Sequence, residues 1–222
     1  DFFETTFKQI NIFLVGAGNV GKKLLEQIAK QQSFLQEQLH VQLRLAGLCN
    51  SRHMLINEEG IDIASWQQQL DGAPAADIQQ FVNDVISRNL RNAVFVDITA
   101  NEKVAAVYNQ LLRKSISVVA CNKIAASSAY SQYRSLKDLS REFNAQFLFE
   151  TNVGAGLPII GTLNDLMRSG DRIHRIEAVL SGTLNFVFNN YDGTRKFAEV
   201  VKQAQDEGYT EPDPRLDLNG SD

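Results

Sequence analysis

Ile10-Asn11-Ile12-Phe13-Leu14-Val15-Gly16-Ala17-Gly18-Asn19-Val20-Gly21-Lys22-Lys23-Leu24-Leu25 is the stretch on which the fold turns. Ile10 to Val15 is short, β-rich and uncharged, as a parallel strand buried on both faces requires. Leu24, Leu25, Ile28 and Ala29 then recur at helical spacing, which predicts a helix over Val20 to Gln32. Val41 to Cys49 reads as a second strand, so strand, glycine turn, helix and strand form a right-handed crossover unit. The turn between them has the spacing G-x-G-x-x-G. In that context Gly16 allows the tight turn, Gly18 admits a pyrophosphate close to the backbone, and Gly21 lets helix and strand approach. The free N–H groups at the helix start bind the anion. The competing reading is a glycine turn without a ligand.

Outward from this unit, strands and helices keep alternating. A short helix is expected near Ile63 to Leu70, then a helix over Ile78 to Ser87 and a strand over Ala93 to Ile98. A helix over Glu102 to Lys114, a strand over Ser117 to Ala120, a helix over Tyr130 to Phe143 and a strand over Gln146 to Glu150 follow. The alternation defines an α/β, doubly wound, mainly parallel Rossmann-type sheet over residues 1–150. Residues 151–222 change character and read as the opening of a second domain rather than a complete one. Helices are expected there at Ile159 to Arg168 and Ala198 to Glu207, with a strand at Arg175 to Ser181. An apolar strand at Ala178 to Leu180 would leave an exposed sheet edge if its partner were missing.

Composition narrows the function classes. The chain has 222 residues, 44% hydrophobic and 22% charged, an ordinary globular balance that can bury a sizeable core. A formal charge of −4 provides no electrostatic footprint for nucleic acid. No apolar run approaches the roughly 20 residues that span a bilayer. Asp1 to Gln9 lacks a basic-then-apolar signal pattern, so a cytoplasmic location is expected. Cys49 and Cys121 each end an apolar run and read as buried residues of a reducing compartment rather than metal ligands.

Three further groups could carry chemistry. Where the second strand ends, NAD-binding folds usually offer a carboxylate to the ribose 2′-hydroxyl, whereas an arginine suits a 2′-phosphate. This chain reads Asn50-Ser51-Arg52 and has no acid until Glu58, which favours NADP(H) over NAD(H), unless Arg52 is an ordinary solvated loop residue. Asp97-Ile98-Thr99-Ala100 and Asn122-Lys123 fall at strand ends, where ligands of open sheets bind. Lys123 there could hold a substrate oxygen or move a proton; an ordinary surface lysine is the alternative. Residues 208–222 hold four carboxylates in fifteen positions, with prolines that exclude regular helix between Thr210 and Arg215. They form either an exposed acidic turn or a site for an ammonium group.

Taken together, these segments resemble homoserine dehydrogenase, above all the dehydrogenase part of bifunctional aspartokinase–homoserine dehydrogenases. Val15 to Gly21, Leu45 to Ser51, Val96 to Thr99, Asn122-Lys123, Thr151 to Pro158, Ser181 to Phe186 and Gly208 to Asp222 carry the resemblance. It implies NAD(P)-linked interconversion of L-aspartate 4-semialdehyde and L-homoserine, a step toward threonine, methionine and isoleucine. It implies Lys123 as the active-site lysine, Glu211 and Asp222 as holders of the substrate amino group, and Asp222 within the catalytic set. Thr99 and Ala100 fall near the nicotinamide. Gly16, Gly18, Asn19, Val20, Gly21, Asn50, Ser51, Arg52, Lys123 and Gly208 fall on the cofactor side. The carbonyls of Glu150, Val153, Ala155 and Leu157 correspond to a monovalent-cation loop, usually sodium. The resemblance further implies that residues 151–222 are the incomplete start of an α+β domain for substrate binding and dimerisation. It also implies a small-molecule substrate, a parent that is a dimer or tetramer, and a possible fusion to aspartokinase.

The chain departs from that pattern in two places. Ile124 stands where a second lysine is common. The signature that reaches Asp222 should run on to another lysine, a general-acid candidate, four residues further, so the 222-residue chain is expected to be weakly active or inactive by itself. Another NAD(P)-dependent amino-acid oxidoreductase and a non-catalytic nucleotide module are the remaining alternatives.

Overall fold

Alternate residues of the first strand pack on opposite faces of a sheet, because side chains along a strand point up and down in turn. Ile12 and Leu14 lie in one apolar cluster with Leu25, Ile28, Leu45 and Leu48. Phe13 and Val15 lie in the other, with Phe81, Val85, Phe95, Tyr108 and Leu111. A strand buried on both faces is what an uncharged run such as Ile-Phe-Leu-Val can satisfy. These observations come from a computed structural model, which describes residues 7–222; of the signal-pattern reading over Asp1 to Gln9, residues 1–6 lie outside the described residues.

The chain divides into two units, residues 1–152 and 153–222. In the first, β1 (Lys8–Val15), α1 (Asn19–Leu39), β2 (Val41–Cys49), β3 (Met54–Ile56), α2 (Trp66–Asp71), α3 (Ile78–Arg88) and β4 (Ala93–Asp97) follow in order. Then come α4 (Glu102–Ala105), α5 (Tyr108–Leu112), β5 (Ser117–Ala120), α6 (Tyr130–Glu142), β6 (Phe147–Leu148) and a 3-10 turn at Glu150–Asn152. The sheet order is β3-β2-β1-β4-β5-β6. Every pairing is parallel except β2 with β3. The order in which strands are added reverses between β1 and β4, and this switch point is where the ends of strands leave a crevice.

One irregularity sets the spacing at that crevice. β1 and β2 run in register to Ile12↔Leu45, and Phe13 then pairs with Gly47, so Ala46 is an extra residue in β2. A side chain at position 47 would meet the Phe13 ring, with its Cβ 2.6 Å from Phe13 Cδ1. Glycine at 47 therefore lets Phe13 occupy the core beneath the site.

The doubly wound, mainly parallel class expected from the sequence is the one found. Several elements differ from expectation. α1 continues past Gln32 to Leu39, because Gln, Glu and Leu sustain a helix after the buried stripe has run out. The helix expected over Glu102 to Lys114 is two short helices, and its break at Ala106 and Val107 immediately precedes Tyr108, whose hydroxyl is tied to Asp97. Strand pairing at Gln146 to Glu150 is confined to Phe147–Leu148, after which the chain turns.

The second unit, as described, consists of α7 (Ile160–Arg168), α8 (Gly182–Asn190), α9 (Phe197–Asp206) and α10 (Arg215–Leu218). Val187, Val200, Val201 and Ala204 form its buried cluster. Each fully buried valine contributes on the order of 1.5–3 kcal/mol. Ser181 caps α8, accepting from the Leu184 N–H at 3.0 Å. The strand expected at Arg175 to Ser181 does not form: no residue from Asp171 to Ser181 is in regular structure, and Ile176, Val179 and Leu180 are exposed. A strand is stable only when neighbours accept and donate its backbone hydrogen bonds, and none pairs with this one among the described residues. Among the described residues, no helix is long and apolar enough to cross a membrane.

Candidate functional site

The ends of β1, β2 and β4 enclose a cleft of about 500 Å³ lined by Gly16, Gly18, Asn50, Ser51, Arg52 and Thr99 among others. Gly16 sits at φ +106°, and a Cβ there would lie 2.4 Å from the Ile98 carbonyl oxygen. Its N–H donates to the Cys49 carbonyl at 2.9 Å, while Ile98 N–H donates to the Val15 carbonyl at 2.8 Å. The turn is thus wedged between two strand ends. Gly21 is equally constrained, since its Cβ would stand 2.2 Å from the Gly16 carbonyl oxygen. Gly18 differs: no atom lies within 4 Å of a Cβ built there.

Gly18 is also the N-cap of α1, and no side chain caps that helix. The first N–H groups of a helix have no intrahelical partner and attract anions, here from Asn19, Val20 and Gly21. An uncapped long helix, an open side at Gly18 and a cleft of this size fit the pyrophosphate of a dinucleotide. The fit rests on backbone donors and steric room.

At the end of β2, Asn50 Oδ1 accepts from the N–H groups of Arg52 at 2.8 Å and His53 at 2.7 Å. This tight turn reverses the chain into β3, an element the sequence reading missed because three residues are too few for a periodicity. It leaves Ser51 and Arg52 exposed on the cleft. Cys49, beneath them, is free and buried, and burial pushes its thiol up to about 11. Cys121 is also free. Cys49 is buried as expected, whereas Cys121 is only partly buried.

A buried carboxylate organises the β4 and β5 ends. Asp97, with no exposed surface, accepts from the Thr99 N–H at 2.8 Å and the Thr99 hydroxyl at 2.7 Å through one oxygen. The other accepts from Tyr108 Oη at 2.5 Å and Asn122 Nδ2 at 3.0 Å. Asn122 Nδ2 also donates to the Asn101 carbonyl at 3.1 Å. Thr99 and Asn122 are therefore fixed through one group. Burial raises Asp97 above the usual carboxylate value, opposed by its hydrogen bonds to Tyr108, Thr99 and Asn122. Burial, then the adjacent Asp97 charge, pushes the Tyr108 phenol upward.

A Tyr108→Phe variant is expected to lose about 1.5–3 kcal/mol, the worth of a hydrogen bond to a charged group, read by urea unfolding. The sign with pH follows from linkage. A raised native carboxyl pKa means the folded state holds a proton that the unfolded chain has released, so Asp97 lowers stability as pH climbs above 3.8. Removing the phenol raises that pKa further. The deficit should grow from acid to neutral pH; a pH-independent deficit would show that Asp97 does not titrate with the bond.

Ala100 lies between Thr99 and the Asn101 cap of α4, outside the cleft lining. Lys123 follows Asn122 directly, is partly exposed, and lies outside that lining as well. In the second unit, Gly208 ends α9 at φ +81°, and Tyr209 N–H donates to the Ala204 carbonyl at 2.9 Å. Glu211 is partly buried and its N–H donates to Asp217 Oδ2 at 3.0 Å. Asp222 is exposed. Asp217, passed over in the sequence, is 4% exposed and meets buried Thr183 at 2.7 Å. Thr183 Oγ1 also lies 2.6 Å from the Tyr209 carbonyl, so the acidic segment is pinned at Asp217. Of the expected cation-loop residues, Glu150 belongs to the first unit, and Val153, Ala155 and Leu157 to the second. Ala155 adopts φ +50°.

Asp97 and Tyr108 were missed as a pair, since nothing in linear spacing says that a tyrosine eleven positions on will return to the strand end. A lone aspartate closing an apolar strand was the available signal.

A six-stranded, mainly parallel sheet with this glycine turn at its switch point defines a dinucleotide-binding domain of the dehydrogenase type. A family model described as the NAD binding domain of homoserine dehydrogenase matches residues 16–150, and a second, described as homoserine dehydrogenase, matches residues 158–222. The chain belongs to the homoserine dehydrogenase family. It is 44% identical over 211 residues to the chloroplastic bifunctional aspartokinase/homoserine dehydrogenase 2 of Zea mays, covering 94% of this chain and 23% of that protein. The bifunctional protein of Haemophilus influenzae is 37% identical, covering 97% of this chain and 26% of the relative. The chain thus spans about a quarter of the curated relatives it matches. A hyperthermophilic archaeal homoserine dehydrogenase solved in complex with NADPH superposes with a TM-score of 0.77 at 26% identity, covering 96% of this chain and 65% of that one. A Candida auris protein of unknown function superposes at 0.79 with 32% identity, covering 96% and 60%.

Proposed function

We propose that this chain is the nucleotide-binding region and the leading part of the substrate region of an enzyme that interconverts L-aspartate 4-semialdehyde and L-homoserine with NADP(H). The observation that carries the proposal is the cleft at the switch point, with its uncapped helix start and open Gly18, in a chain of the homoserine dehydrogenase family. In this reading the N–H groups of Gly18, Asn19, Val20 and Gly21 hold the pyrophosphate above Gly16. Asn50, Ser51 and Arg52 bind the adenosine ribose, and Arg52 favours its 2′-phosphate. An archaeal relative solved with NADPH supports that preference.

When bound, the cofactor supplies or accepts a hydride. The chain's own residues handle charge. Thr99, set by Asp97, and Ala100 border the nicotinamide. The Lys123 ammonium, set beside the fixed Asn122, stabilises the charge that develops on the carbonyl oxygen and delivers a proton there. Glu211 and Asp222 bind the substrate ammonium, and Gly208 borders the cofactor. The carbonyls of Glu150, Val153, Ala155 and Leu157 are proposed to hold a monovalent cation. A homo-oligomeric parent joined to an aspartokinase is part of the proposal, supported by the bifunctional relatives. A cytoplasmic location is also proposed, although the plant relatives are named chloroplastic.

The test is to extend the chain with the C-terminal segment of its relatives and follow NADPH absorbance with L-aspartate 4-semialdehyde. Oxidation that requires the semialdehyde is expected. NADPH binding without oxidation would leave only a nucleotide module.

A further inference from the structure

We propose that Lys103 is a second specificity-determining cation of the cleft, acting with Arg52 to select a 2′-phosphorylated adenosine; the inference rests on the dinucleotide reading above. Both residues line the cleft, and both are exposed. They approach it from different elements, Arg52 from the turn after β2 and Lys103 from α4 after β4. Their backbones are anchored independently. Arg52 donates its N–H to Asn50 Oδ1 at 2.8 Å, and its carbonyl accepts from Ala76 N–H at 2.8 Å. The Lys103 N–H donates to Asn101 Oδ1 at 2.8 Å. Fixed backbones with exposed charged heads suit a ligand that arrives between them.

The composition of the wall gives the ligand its chemistry. Ala76, Ile78 and Val104 also line the cleft and provide apolar surface for a flat purine. No aspartate or glutamate is among the lining residues. Of the carboxylates near this end of β4, Asp97 is wholly buried and engaged by Thr99, Tyr108 and Asn122, and the exposed Glu102 beside Lys103 lines a different depression. A neutral ribose hydroxyl is served by a carboxylate and gains little from two cations. A phosphate monoester carries a charge of about −1.5 to −2 near neutral pH, which one guanidinium only partly balances. Arginine provides a planar fork and lysine a point charge on a flexible stem, so the two can share one phosphate without competing for the same oxygens.

The test uses the 222-residue chain and calorimetric titration with two probes, 2′,5′-ADP and 5′-AMP. Wild type should bind 2′,5′-ADP at least about tenfold more tightly. Lys103→Met should weaken 2′,5′-ADP about tenfold, equivalent to one charge-assisted contact, and leave 5′-AMP within about twofold. Lys103→Glu should weaken 2′,5′-ADP further, and Arg52→Gln with Lys103→Met should bring the two probes to similar affinity. Thermal unfolding, run alongside, should not move, because the replaced head is in solvent. Equal affinity of wild type for both probes would remove the NADP preference and this proposal with it. A wild-type preference that survives Lys103→Met would overturn the role of Lys103 alone.

Discussion

Gly16→Val should abolish measurable NADPH binding and lower the unfolding temperature, whereas Gly18→Val should lose binding with little change in unfolding. The two glycines are two residues apart in one loop, and the difference comes from what surrounds them. At Gly16 the backbone is in the left-handed region at φ +106°, and the added Cβ would sit 2.4 Å from a carbonyl oxygen held in the sheet. Strain of that kind costs on the order of 1–3 kcal/mol before the steric overlap is counted. The overlap cannot be relieved by a rotamer, because Ile98 is held by its hydrogen bond to Val15. At Gly18, φ is −77° and the space around a Cβ is empty, so the fold tolerates a side chain. That empty volume is where the pyrophosphate is proposed to lie. A loss of at least about a hundredfold in affinity, roughly 2.7 kcal/mol, is expected for Gly18→Val, and a larger one for Gly16→Val. Titration of NADPH fluorescence beside a thermal melt measures both. Tight NADPH binding by Gly18→Val would put the pyrophosphate elsewhere.

In the extended enzyme, Lys123→Ala should reduce kcat by about a hundred- to a thousandfold, the usual effect of removing one group that stabilises a developing oxyanion. NADPH affinity should change far less, because most of the dinucleotide contacts proposed here lie on the β1–β2 side. Lys123→Arg should recover only part of the rate, since a planar guanidinium keeps the charge but does not release a proton near neutral pH. Stopped-flow measurement of NADPH oxidation separates the hydride step from product release. A variant that retained wild-type single-turnover rates would make Lys123 a surface residue and return the proton-donor role to a group elsewhere.

These expectations differ in how far they could be drawn from the chain by inspection. β2 and β5 were legible to the residue, and β1 and α3 nearly so, because both faces of the sheet are buried and the pattern carries its own boundary signals. Gly16, Gly18 and Gly21 were legible as a set, since motif spacing is local, although only Gly16 and Gly21 answer a steric constraint of the protein itself. Arg52 was legible by its place after β2. Lys103 was not, because its relevance depends on α4 returning to the same cleft from another strand.

The amino-acid order by itself determined the doubly wound architecture, the glycine turn and the cation that follows β2. Each is encoded within a few residues by hydrophobic period, backbone freedom or side-chain charge. Only the tertiary structure decided that Asp97, Tyr108, Thr99 and Asn122 form one buried network. It also decided that Ala46 is a bulge over Phe13 and that Arg175 to Ser181 is not a strand. Those outcomes depend on partners brought together across the sheet, or on partners not formed, and contacts at long sequence separation leave no local periodicity to read.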